Sequence, residues 1–201
     1  MARLDGTLMA AVLGLVIAGC GGAGTPTTAT RTAATNSTAG TTSTAAAPGT
    51  GVRVRGADYV LDLEPGWSDT TLKRKRVAAV DRVISSRIPP AVAEIALLRA
   101  PAGGAGTAAR LQAQARSEIA GVHATAVTRK RPLTLDGARA LTYQYRGKSP
   151  AGALIQARQV LAVHGGRMHI ITLVAARAQF AAADTALGTM LSSWRWKAAS
   201  G

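Results

Sequence analysis

The chain has one cysteine, in the stretch LVIAGCGGA, where an apolar run ends at Ala18-Gly19 and gives way to glycine. A lone thiol cannot close a disulfide within its own chain. Three chemistries therefore compete for Cys20: packing, redox reactivity or covalent attachment. The segment Thr7 to Gly19 carries no charge and follows MARLDG, where Asp5 offsets Arg3. It is too short for a membrane span, which needs about 20 apolar residues, and it has the length of a signal-peptide apolar region.

Other residues with chemical potential are sparse. His123 is isolated, while His164 and His169 flank a Gly165-Gly166 pair. If that pair forms a two-residue turn, the two histidines share one strand face as diagonal neighbours, about 7–8 Å apart at Cα. Arg167 falls on the same face and opposes a cation, so they are read as polar surface histidines and no metal site is expected. The HGG triplet has no G-x-S-x-G partner anywhere in the chain, so it is not taken as an oxyanion hole. Asp58, Asp62 and Glu64 lie at two-residue spacing and are read as solvated strand-face charges. The glycine-rich AGGAG lacks the Lys-Ser/Thr ending of a phosphate loop. No catalytic constellation and no cofactor site emerge, and the expectation is a protein that is not an enzyme. Were it one, only Tyr143, Tyr145, His164, Arg167 and His169 could contribute.

Basic runs remain: Lys73-Arg74-Lys75-Arg76 and Arg129-Lys130-Arg131. The net charge is +14, from 24 basic and 10 acidic residues, and 22 of the basic residues fall from Gly51 onward. Two readings stand. Such runs serve as solvated loop and edge-strand charges that discourage sheet-to-sheet aggregation. Alternatively they dock the domain on an anionic surface, each basic residue near anionic lipid adding about 1 kcal/mol. Nucleic acid suits the charge but conflicts with an export signal, and stacking aromatics are missing, so it is not expected as a partner.

The elements that must position these groups begin late in the chain. Gly21 to Gly51 has one charge and no Leu, Ile, Val or aromatic residue, too little apolar surface to offset the entropy of ordering, and reads as a disordered Thr-rich tether. Beyond it, ADYVLDLEPGW alternates, with Tyr59, Leu61 and Leu63 on one face, which predicts a half-buried strand and a Pro65-Gly66 turn before Trp67. Val77, Val80, Val83 and Ile84 have helical spacing, and AVAEIALLRA fits a short strand or, as the alternative, a helix. Thr107 predicts the N-cap of a helix with the stripe Ala108, Leu111, Ala115 and Ile119. Asp136-Gly137 and Gly165-Gly166 predict two hairpins. The second pairs His164 with Arg167, Val163 with Met168 and Leu161 with Ile170, and turns Leu161, Val163, Met168, Ile170 and Val174 toward the core. A helix with the stripe Phe180, Ala183, Leu187, Met190 and Leu191 and a short strand at SSWRW close the chain. Hydrophobic residues make up 47% but aromatics only 3%, so the three tryptophans, three tyrosines and Phe180 must anchor an aliphatic core. This order of elements predicts an α+β domain, an antiparallel sheet with helices packed on it.

Two resemblances sharpen the expectation. Ile17-Ala18-Gly19-Cys20 resembles the lipobox of bacterial lipoproteins, an apolar residue and two small ones before the cysteine. The resemblance implies removal of residues 1–19 by a signal peptidase that recognises Ile17, Ala18 and Gly19. It also implies palmitate-type acylation of Cys20 and a lipid-anchored place on the extracytoplasmic face of the cell membrane. Two or three acyl chains suffice for stable anchoring, because each buried CH₂ contributes about 0.8 kcal/mol. The strand leading to PGW, LDGARALTY, QVLAVHGGRMHIITLVA and the ending MLSSWRW are similar to the PsbP-like superfamily over roughly Ala57 to Lys197. That likeness implies a PsbP-like α+β domain over residues 51–201, behind a tether at 20–50. Such folds serve mainly as binding modules and bring no shared catalytic set. The expected function is non-enzymatic binding of a protein partner or an anionic envelope component. The alternative is a carrier of a small apolar ligand or lipid.

Overall fold

In the computed structural model the described residues are 51–71, 80–89, 92–102, 124–149 and 152–198, together with Ala113 and Arg116. The Cys20 segment, the expected tether, His123, the Lys73–Arg76 run and nearly all of the helix predicted from Thr107 lie outside them.

Alternation in the first folded segment produces β1 (Arg53–Arg55) and β2 (Tyr59–Asp62). Tyr59, Leu61 and Leu63 are buried, while Asp58, Asp62 and Glu64 keep partial exposure. The turn that follows is closed by the Trp67 amide, which donates to the Glu64 carbonyl at 3.1 Å, and Trp67 opens β3 (Trp67–Asp69).

The segment expected to be helical from the spacing of Val77, Val80, Val83 and Ile84 is strand β4 (Val80–Ser86) where it is described. The physical reason is that both of its faces are covered. Val83 pairs with Ala96 and Ile84 with Ile95, which places two adjacent apolar residues on opposite faces, and both are buried. A register shift between Val80 and Arg82 supplies the irregular spacing that imitates a helix. β-Branched Val80, Val83 and Ile84 also favour the extended chain.

Next come β5 (Ala93–Pro101), β6 (Thr125–Arg129), β7 (Leu133–Leu135), β8 (Ala138–Lys148), β9 (Leu154–His164) and β10 (Arg167–Ala176). Helix α1 (Phe180–Ser192) and β11 (Arg195–Trp196) complete the chain. β3, β4, β5, β10, β9, β8 and β6 lie side by side in an antiparallel sheet, with β7 paired to β8, and β1, β2 and β11 form a small second sheet. Strand accounts for 58% of the described residues and helix for 14%. The α+β expectation, several helices packed on a sheet, is therefore corrected to a β-rich fold with one complete helix among the described residues.

Both predicted hairpins form. Asp136 and Gly137 have φ of 42° and 86°, and Gly165 and Gly166 have 53° and 68°, the left-handed pair that a two-residue turn demands. The registers His164 with Arg167, Val163 with Met168 and Leu161 with Ile170 are as expected. The apolar face is buried as expected: Leu161, Met168, Ile170 and Val174 belong to one core cluster, with Val163 packed against it. A second, larger cluster lies on the opposite face. It gathers Val160, Ala162, Ile171 and Leu173 with Tyr59, Trp67, Trp194 and the α1 stripe Phe180, Ala183, Leu187, Met190 and Leu191. Ser193 ties the end of α1 to β2. Its hydroxyl donates to Met190 O (2.7 Å) and accepts the Asp62 amide (2.9 Å).

Candidate functional site

Two clusters of polar groups lie at opposite ends of the β8–β9–β10 strands. The first lies near the Gly165-Gly166 turn. Trp196 stacks flat on His164, ring centres 4.2 Å apart, and lies 4.8 Å from His169. Trp194 stacks on Tyr59 at 4.1 Å and meets Trp196 edge-on at 5.1 Å. His169 faces Arg99 across the β10–β5 ladder. Asp58 reaches both: its Oδ2 is 3.0 Å from Arg99 Nε and 3.5 Å from His169 Nε2. Neither contact is aligned as a hydrogen bond.

The electrostatics follow from burial. His169 is 2% exposed, and desolvation, reinforced by Arg99 and His164 and opposed by Asp58 and Asp81, holds its pKa below the ordinary 6.5. Burial, with Asp81 as a second cause, holds the Tyr59 phenol well above its ordinary value. A histidine beside a carboxylate has the chemistry of a general base, but this ring is closed from solvent by aromatic neighbours. The cluster joins the small sheet to the large one. The Trp196 indole donates to Leu135 O and its amide to Asp136 Oδ2, both at 2.8 Å.

The second cluster is open. Among the described residues β6 is the last strand of the large sheet, exposed at all five positions, and its final residue, Arg129, continues into Lys130 and Arg131, all exposed. Its pairing with β8 shifts between Thr125 and Thr128, and Ala126 within that bulge has φ of 50°. The bulge forms one wall of a half-open cleft of about 600 Å³ whose other walls include Arg146, Lys148, Leu154, Ile155 and Arg177. β8 and β9 converge there, Lys148 pairing with Leu154, and the Arg177 amide donates to Leu154 O at 3.2 Å. Among the described residues none of the three basic side chains has a carboxylate partner. The single carboxylate of α1, Asp184, is engaged by Arg158 at 2.9 Å and by Gln144 at 3.4 Å.

The sequence-predicted residues are thus dispersed. Ile17, Ala18, Gly19 and Cys20 and the run Lys73, Arg74, Lys75 and Arg76 lie outside the described residues, whereas Arg129, Lys130 and Arg131 sit on the exposed sheet edge. His164, Arg167 and His169 share a face as expected, but the reading of both histidines as surface residues is corrected: His169 is buried and His164 half-buried under Trp196. Tyr143 and Tyr145 belong to the cluster on the other face, so the five residues do not converge on one pocket. Among the described residues no group of three or more His, Cys, Asp or Glu could hold a metal ion. The Asp58–Arg99–His169 contact and the basic cleft were not anticipated. Arg146 and Lys148 were findable, since two-residue spacing on a strand puts them on one face. Arg177 reaches them only through the β9–β10 pairing.

No protein-family model matches the chain, and no curated protein matches it. Solved structures do. A cyanobacterial PsbP (CyanoP) from Synechocystis sp. PCC 6803 is similar at 15% identity with a TM-score of 0.50, covering 76% of this chain and 98% of its own. LpqN, described as involved in cell envelope biogenesis of Mycobacterium tuberculosis, is similar at 15% identity with a TM-score of 0.52, covering 75% and 87%. What is shared at these identities is the fold, and the fold is PsbP-like. Among the described residues no helix is long and apolar enough to cross a membrane.

Proposed function

We propose that the chain is an exported lipoprotein, anchored through Cys20 on the outer face of the cell membrane, whose PsbP-like domain is a non-enzymatic binding module for a protein or an anionic envelope component. The observation that carries the docking half is the end of the large sheet. β6 exposes all five residues and leads directly into Arg129-Lys130-Arg131, a compact positive edge on a protein of net charge +14. Such a field attracts anionic partners and raises encounter rates. The Ile17–Cys20 motif supplies the address, and the similarly folded LpqN is itself an envelope-biogenesis protein.

The mechanism is confinement. A flexible tether of about 30 residues has a root-mean-square span of roughly 30 Å, so the domain samples a thin shell above the membrane. Weak contacts made there gain from the high effective concentration. Replacing Cys20 by serine removes the acylated thiol, and the variant is expected to move from the membrane fraction to the soluble one. Retention of Cys20→Ser on membranes through salt and carbonate washes would show the anchor to be elsewhere. Crosslinking in intact cells, followed by recovery of no reproducible partner, would count against the docking half alone.

A further inference from the structure

We propose that the cleft between the β6 bulge and the β8–β9 end is a binding site for a phosphate-bearing amphiphile, its anionic head held by Arg146, Lys148 and Arg177 and its apolar part laid against the exposed Leu154. The charge argument comes first. Three basic residues line one cleft, and no acidic residue does among the described lining. The helix carboxylate that could have neutralised them is already bound by Arg158. Two guanidinium groups and an ammonium suit a phosphate, because each arginine offers a planar fork matched to two of its oxygens.

Size and apolarity select an amphiphile over a free anion. The cleft of about 600 Å³ falls in the range of roughly 300–1,000 Å³ typical of organic ligand sites, far more room than an inorganic anion fills. Leu154 is 55% exposed beside the three cations, an apolar side chain left bare where a hydrocarbon portion would cover it.

The backbone gives an independent sign. Ala126 adopts φ of 50° in the wall of the cleft, a left-handed conformation that a residue with a Cβ rarely takes. Such strain gathers where a surface is shaped for a ligand, and bulges are frequent beside sites. The bulge sets Thr125 opposite Arg146, which brings the β6 backbone beside one of the cations.

This site rests on the reading of the domain as a binding module and not on the anchor, so Cys20→Ser can fail while binding at the cleft stands, and the reverse. The test is calorimetric titration of the purified full chain with dihexanoyl phosphatidic acid below its micelle concentration. Inorganic phosphate and dihexanoyl glycerol, which has the same chains without the phosphate, form the two other arms. The expected result is saturable binding of the phosphatidic acid at least tenfold tighter than either, with amide shifts at Gly147 and Leu154 by NMR. The exposed pair Arg146→Gln/Lys148→Gln should weaken it at least tenfold with an unchanged melting temperature. Equal affinity for inorganic phosphate would make this a free-anion site, and equal affinity for the phosphate-free dihexanoyl glycerol a purely apolar groove. Unchanged binding in the double variant would put the ligand elsewhere, and absence of saturation would remove it altogether. Each of these four outcomes overturns the proposal.

Discussion

His169 has its Nε2 at 3.5 Å from Asp58, Arg99 directly across the ladder and aromatic rings on its remaining sides. Protonating it there places a second cation beside Arg99 in a site where desolvation already disfavours charge. Its folded pKa is lowered from 6.5, so between the folded value and 6.5 the unfolded chain binds more protons than the native one. The stabilisation is fully present above pH 6.5 and is lost as pH falls through the folded value. Urea denaturation from pH 7.5 downward should therefore show stability declining below pH 6.5. His169→Phe, which keeps an aromatic ring in the cluster and titrates nothing, should flatten that part of the slope. An identical slope in the variant would assign the decline to other groups. The sequence hid this residue for a definite reason. Strand alternation around Gly165-Gly166 gives one fully apolar face and one bearing His164, Arg167 and His169, so the mixed face reads as solvated. What buries it is β2 and β11, the first arriving from about 100 residues earlier and the second from the chain's end, and no local pattern announces their arrival.

At the scale of elements, local chemistry decided what could be read. Both two-residue turns, the α1 stripe and the alternation of β2 were legible because each is set by residues within a few positions of one another. The strand β4 was not, because its periodicity is that of a bulged strand buried on both faces, and only the second face's covering distinguishes it from a helix. The basic cleft has the same character: its cations come from β8 and from beyond β10, and they meet only when the sheet is assembled. The turn itself is open to test. A Cβ at Gly165 meets nothing within 4 Å, yet its φ is +53°, so substitution costs only the left-handed backbone conformation. Gly165→Ala should lose about 1 kcal/mol, a melting-temperature drop of roughly 2–8 °C, with the fold retained. A much larger loss would mean that the turn also makes contacts the geometry does not contain.

For the molecule as a whole, the +14 charge is distributed unevenly enough to be tested in parts. The large sheet offers a basic edge at Arg129-Lys130-Arg131 and, separately, the cleft cations at Arg146, Lys148 and Arg177, while Arg53, Arg99 and Arg158 are each engaged by a carboxylate. Only the unengaged groups are free to meet an anionic surface without first breaking an internal pair. Surface attraction of this kind is screened with a Debye length of about 8 Å at physiological salt, so it acts only where the edge approaches closely, which the proposed tether would permit. With the proposed anchor removed by Cys20→Ser, the remaining affinity for phosphatidylglycerol vesicles isolates the electrostatic part. Reversing the edge with Arg129→Glu/Lys130→Glu/Arg131→Glu in that background removes three contacts of about 1 kcal/mol each and should lower vesicle partitioning by at least roughly 100-fold. Sedimentation of vesicles at rising salt should show the parent losing affinity steeply and the triple variant hardly changing. If the parent and the triple variant partition alike, the run is a solvated edge that guards β6 against pairing with another sheet. In that event the charge that matters lies elsewhere in the molecule, and the docking half of the proposed function falls with it.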